Sequence, residues 1–419
     1  MKRSIITIII AFITILCYGQ AIGIHCWTNN YYWTKNIDHL EFSPDFISFI
    51  SSSQDIPGYL MQDGYLMQDV DSITFHSSDE MPCFICDPSY ISSDYSKDGQ
   101  IVRLQTHTKG KGIPLVIIGS GFSDRMINLN LYDQSAYSAM EAFFAKEPFT
   151  TYRRYFDVYS ITIVSKKEDP NNDGPFSLDD NDKRLPNYIL NINELNGSLE
   201  NVTVLLIENL SAGYSGSYYT LTDAFGINNF NIGQTSVEWS ELYFHFNTFL
   251  VEHEVGGHAF GLLEDERVYD NATDVFPNND KEWLDYQHSK GACMNIDYHD
   301  TPETVLWKDF MSNLNYEVEG IGLYEGGLYT IAKGIYRPSD TSIMYDSDGK
   351  DYFNAPSRWA IYQRIMKLAG EECTFENFLE YDKKNLEAIK AKSWQNKVRK
   401  TRSFRHENLH KSCVIPIRR

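Results

Sequence analysis

The sequence predicts an α+β fold, a small β-rich N-terminal domain followed by a larger domain of mixed sheet and helices. Three observations predict it. Residues 21–111 are polar and aromatic, with strand-like alternation in "NIDHLEFSPDFISFI" and "VDSITFHS". Over residues 112–370, short apolar runs that read as buried strands interleave with helical periods. With 42% hydrophobic and 14% aromatic residues, the 419-residue chain can bury a sizeable core.

The elements follow in order. "MKRS" is a basic start, and "IITIIIAFITILCYGQA" is an apolar run ending in small residues. Residues 1–20 therefore read as a signal peptide, cut near Ala21, and the mature chain is expected to be exported. The competing reading is a membrane anchor, but about 16 apolar residues fall short of the roughly 20 that a span prefers. No later segment is apolar enough to span. Six cysteines remain after the cut: Cys26, Cys83, Cys86, Cys293, Cys373 and Cys413. That density is too low for a disulfide scaffold, and the lone pair in "CFIC" is weak evidence for a metal.

"GYLMQDGYLMQD", from Gly58 to Asp69, is a tandem duplication that reads as a loop or hairpin. In the larger domain, "IPLVIIGSGF" and "NVTVLLIENL" read as buried strands, and "YRRYFDVYSITIVSK" ends in another. "YDQSAYSAMEAFFAKEPF" has helical periodicity up to Pro148, and "YSGSYYTLTDAF" reads as a glycine-punctuated strand. "SVEWSELYFHFNTFLVEHEVGGHAFG" reads as one long apolar helix ending at Gly261. Residues 270–334 have no clear period and read as packed, irregular chain. Asn354 to Gly370 is an amphipathic helix with proline near its start and glycine at its end. Residues 371–419 form a basic tail.

The formal net charge is −20, which argues against a nucleic-acid partner and fits a soluble acidic enzyme. "DPNNDGPFSLDD", Asp169 to Asp180, has the oxygen spacing of a calcium loop. A solvated acidic loop competes with that reading, because a strand precedes it and Asp stands at the twelfth position.

The chemistry concentrates in "LVEHEVGGHAFGLLEDER", Leu250 to Arg267. His253 and Glu254 stand together, and the next histidine, His258, is five positions after His253. Two neutral imidazoles can share a zinc ion, with a carboxylate beside them to take a proton from water. On a regular α-helix residues five apart point about 140° from one another, so the pair would fail to meet. A π-type turn at Gly256 and Gly257 restores the alignment, and glycine makes such a turn accessible. The ordinary alternative is a His-Glu pair on a core helix. The helix must stop at Gly261, so a third ligand can come from the turn beyond it, where Glu264, Asp265 and Glu266 compete.

"HEVGGHAFGLLEDE" resembles the bacterial IgA-metallopeptidase family, a branch of the zincin-type zinc endopeptidases. "LVIIGSGFSD", "KEPFTTYRRYFDVYSITIVS" and "SIMYDSDGKDYFNAPSRWAIYQRI" resemble the same family's flanking segments, over about residues 112–368. A five-residue histidine spacing also occurs in the unrelated dipeptidyl-peptidase III family. The resemblance implies a zincin-like catalytic domain with His253 and His258 as zinc ligands and Glu254 as general base. The family's Asp-Glu pair corresponds to Asp265 and Glu266. That implies Asp265 as third ligand with Glu266 orienting a histidine, whereas plain metzincin spacing lands on Glu264. Met344 would be the hydrophobic floor beneath the metal and "SYYTLTDAF" the edge strand that aligns a peptide. Tyr345 reads first as a packed surface tyrosine, with an oxyanion helper as the alternative. The implied function is zinc-dependent hydrolysis of a protein or glycoprotein, immunoglobulin or another host or surface glycoprotein. The alternative is a catalytically inactive zincin-like module that binds a protein or glycan.

Overall fold

The computed structural model describes residues 87, 89–168, 184–210, 230–239, 243–346 and 351–391, and the backbone of further strands between 22 and 77 and at 217–220. The fold is α+β. By contact the chain divides into two compact units, one of residues 1–263 with 346–351, the other of 264–345 with 352–419.

The first unit holds the strands β1 (Ile22–Thr28), β2 (Tyr31–Ile37), β3 (His39–Phe42), β4 (Phe46–Ser52), β5 (Leu60–Leu66) and β6 (Val70–Ser77). After them come β7 (Ile101–Gln105), β8 (Ile113–Ser120), β9 (Phe156–Ile161), β10 (Thr203–Leu210), β11 (Ser217–Thr220), β12 (Asn231–Trp239) and β13 (Tyr243–Asn247). Ten of these make one mixed sheet in the order β6-β1-β2-β13-β12-β10-β8-β9-β7, with β11 pairing on β12. The strands β9, β8, β10 and β12 run parallel. The β2–β13 pairing joins strands of the 21–111 segment to those of the larger domain. The outer edge of β12 is shared, β11 pairing along Asn231–Gln234 and β13 along Val237–Trp239. β3, β4 and β5 form a separate antiparallel sheet. Because β5 crosses the junction of the tandem duplication, the two copies are not the two arms of a hairpin.

The parallel strands are Val/Ile/Leu runs because both faces of the sheet are covered. Val116, Ile118, Val204, Leu206 and Ile232 lie in one core with Leu185 and Ile189 of helix α2 (Arg184–Ile189). Their neighbours Leu115, Ile117, Leu205 and Ile207 are equally buried and point to the opposite face, since side chains alternate along a strand. Each such burial contributes about 1.5–3 kcal/mol. On that opposite face pack helix α1 (Leu131–Phe143) and the helix Val251–Phe260. Phe260 sits among Phe149 and Phe156, both at 5.3 Å between ring centroids.

The long helix expected over "SVEWSELYFHFNTFLVEHEVGGHAFG" is a correction. Its first part forms β12 and β13, and helix begins only at Thr248. Aromatic and β-branched residues such as Val237, Trp239, Tyr243 and Phe244 favour a pleated surface, and paired strands override the weak apolar run.

The second unit has a three-stranded sheet of β14 (Asp274–Val275), β15 (Tyr324–Gly327) and β16 (Ile331–Arg337). Its longer helices, among the described residues, are α3 (Asp280–Lys290), α4 (Ala355–Ala369) and a helix over 375–391. The α4 helix starts as expected, with the Asn354 side chain accepting from the Ser357 amide, and ends at Gly370 with φ 71°. Arg358 is almost fully buried, with Nη2 at 2.6 Å from both Glu319 Oε1 and Asp382 Oδ2. Asp382 lies in the stretch 375–391, so part of the expected tail is helix tied to α4.

Candidate metal centre

The stretch Val251–Phe260 is a π-helix along its whole length, longer than the single turn at Gly256 and Gly257 that the histidine spacing predicts. Its hydrogen bonds reach one residue further than in an α-helix, as in the Gly261 amide donating to the Gly256 carbonyl at 2.9 Å. Residues five apart therefore stack. His253 Nε2 lies 3.2 Å from His258 Nε2, with the rings at 85°. Both histidines are buried, and Glu254 between them in sequence is half-buried.

The tautomer of His258 follows from its partner. Its Nδ1 lies 2.7 Å from the Leu263 carbonyl, which can only accept, so Nδ1 carries a proton and, in the neutral ring, Nε2 presents the lone pair. His253 stacks on Phe249 at 5.4 Å. Gly233 on β12 makes this packing possible, because a Cβ there would lie 2.7 Å from Val255 Cα and 2.8 Å from the Glu254 carbonyl oxygen. A side chain at 233 would push the π-helix off the sheet.

The three acids beyond the helix diverge. One ligand atom each of His253, His258 and Asp265 lie within 4.8 Å of one another. The Asp265 Oδ1 accepts from the Tyr329 hydroxyl at 2.9 Å. Glu264 turns to Cys293, whose Sγ is 3.5 Å from its Oε1, and its backbone is clamped at both ends by the Asn295 amide. Glu266 is fully buried and accepts from Ser342 Oγ at 2.7 Å, Asn354 Nδ2 at 2.9 Å and Asn295 Nδ2 at 3.1 Å. Burial raises its carboxyl above the usual range, and these hydrogen bonds oppose that shift. Glu266 thus anchors the chain around Met344, whose carbonyl accepts from the Glu266 amide at 2.8 Å, and among the described residues its carboxylate accepts from Asn295, Ser342, Asn354 and Ser357 rather than from a histidine.

The donor set, two imidazoles and a carboxylate, suits zinc. Two nitrogens bound to one tetrahedral zinc ion stand about 3.3 Å apart, and the observed 3.2 Å matches that bite. Compared with known proteins, the chain matches no family model and no curated protein, so the centre stands on its own geometry.

The other expected residues divide. Met344 is fully buried, and the Arg337 guanidinium lies 5.1 Å over the Tyr345 ring. β11, within "SYYTLTDAF", packs beside the π-helix. The acidic stretch Asp169–Asp180 with its calcium-like spacing, residues 1–20 that read as a signal peptide, and the Cys83–Cys86 pair lie outside the described residues. Among the described residues, no helix is long and apolar enough to cross a membrane. Tyr329, Asn295 and Leu263 are site residues that sequence reasoning missed. The Tyr329–Asp265 bond joins residues 64 apart, and no local pattern marks such a pairing.

Proposed function

We propose that this chain is an exported zinc endopeptidase of the zincin type that hydrolyses peptide bonds of proteins or glycoproteins. The observation that carries this reading is the convergence of His253, His258 and Asp265 beside Glu254 on one π-helix and the turn after it. The chemistry that a zinc ion supplies when bound is Lewis acidity, which polarises a carbonyl and makes water acidic enough to lose a proton near neutral pH.

The chain's own residues do the rest. His258, held by the Leu263 carbonyl, keeps its Nε2 turned toward His253 Nε2. Glu254 takes the proton from the attacking water and passes it to the leaving amine nitrogen. β11, antiparallel to β12 and next to the π-helix, is the strand that aligns an extended peptide by backbone pairing. The basic and apolar start of the sequence supports export. The substrate is an immunoglobulin or another host or surface glycoprotein.

Metal content and cleavage test this together. Elemental analysis should find about one zinc per chain. Hydrolysis of a generic protein such as casein should stop with a chelator and return when zinc is restored. Zinc without cleavage would favour the non-catalytic binding module. A chain without zinc would overturn the reading.

A further inference from the structure

The loop between β15 and β16 contains an unusual choice of residues. Leu328 and Tyr329 both adopt left-handed backbone conformations, with φ of 51° and 61°. Successive positive-φ positions in a hairpin ordinarily take Asn and Gly. A non-glycine residue there is strained, and such strain persists where the surrounding structure holds it. Here the loop is laced to the turn that carries the third ligand. The Leu328 amide donates to the Asp265 carbonyl at 3.0 Å, the Tyr329 amide to the Arg267 carbonyl at 2.7 Å, and the Tyr269 amide to the Tyr329 carbonyl at 2.8 Å. The Tyr329 ring packs on Tyr269 at 5.2 Å, and its hydroxyl donates to Asp265 Oδ1 at 2.9 Å.

We infer that Tyr329 is a positioning residue for the third metal ligand. Its hydroxyl fixes the rotation of the Asp265 carboxylate, so that the ligating role falls to Oδ2. A carboxylate on a turn can rotate about its last bond, and a donor on one oxygen removes that freedom before the ion arrives. Partners of this kind orient metal ligands and tune their affinity. The strained loop is the cost of bringing a hydroxyl to this point. This inference rests on the zinc reading above.

The test uses the full chain, with zinc affinity measured by competition against a chromophoric chelator. Tyr329→Phe keeps the ring and removes only the hydroxyl. It should weaken zinc binding by roughly 10- to 100-fold while leaving the melting temperature of the zinc-free protein unchanged. It should also alter the visible spectrum of the cobalt-substituted protein, which reports the ligand sphere. Tyr269→Leu removes the ring neighbour and should leave zinc affinity within about twofold of wild type. Wild-type affinity in Tyr329→Phe would overturn the inference and leave the zinc reading intact. An equal loss in both variants would also overturn it, because packing rather than the hydroxyl would then set the ligand. A wild-type chain that binds no zinc would overturn the zinc reading, and this inference with it.

Discussion

Glu264, Asp265 and Glu266 are chemically near-equivalent neighbours that meet different fates. Backbone direction decides among them: Asp265 joins the histidines, Glu264 turns to Cys293 and Asn295, and Glu266 is buried under amide and hydroxyl donors. Sequence spacing leaves the choice open because a turn has no period. Asp265→Ala should therefore lose most bound zinc, and Glu264→Ala should keep it, as stoichiometry measured on each variant will decide. A full complement of zinc in Asp265→Ala would contradict the assignment. A second residue-scale prediction concerns acid. Burial works against ionised Asp124, but the Tyr90 hydroxyl and the amides of Asp94, Ser93 and Arg125 hold its carboxyl down to about 2. Its folded-state value lies below the ordinary 3.8, so the stability it contributes is complete above that value and lost as pH falls towards 2. In urea titrations, wild type should exceed Asp124→Asn at neutral pH, and the gap should close on acidification through that window.

At the scale of elements, legibility follows the strength of the local pattern. The apolar strands β8 and β10 and the capped helix α4 announce themselves, since run length, proline and glycine all agree. The π-type turn is legible too, because two histidines five apart with two glycines between them can share one face in few other ways, but its extension over Val251–Phe260 is not. The strands β12 and β13 are not, since an aromatic-rich apolar run suits either state until partners pair with it. Helix α3 is hidden for the opposite reason, because Leu284 is its one buried residue and the rest of its surface is polar or exposed. The contact of β12 with the π-helix makes an element-scale prediction. Gly233→Ala places a methyl against backbone atoms of Val255 and Glu254, which cannot swing aside as a side-chain tip would. It should cost about 1–3 kcal/mol in denaturant unfolding and weaken zinc binding. Unchanged stability and affinity would mean that the helix is free to shift.

At the scale of the whole molecule, the α+β class is readable from composition and rhythm, but the extent of the main sheet is not. The β2–β13 pairing joins strands far apart in sequence, and nothing local to either strand specifies it. The central claim is that the π-helix is the catalytic element of a zinc peptidase, with Glu254 as its base. The most direct measurement is the hydrolysis rate and zinc content of Glu254→Gln beside wild type. The amide preserves size and cannot accept the proton, so zinc should remain at about one per chain while the rate falls by about 100-fold or more. A variant that keeps most of an active wild type's rate would contradict the claim.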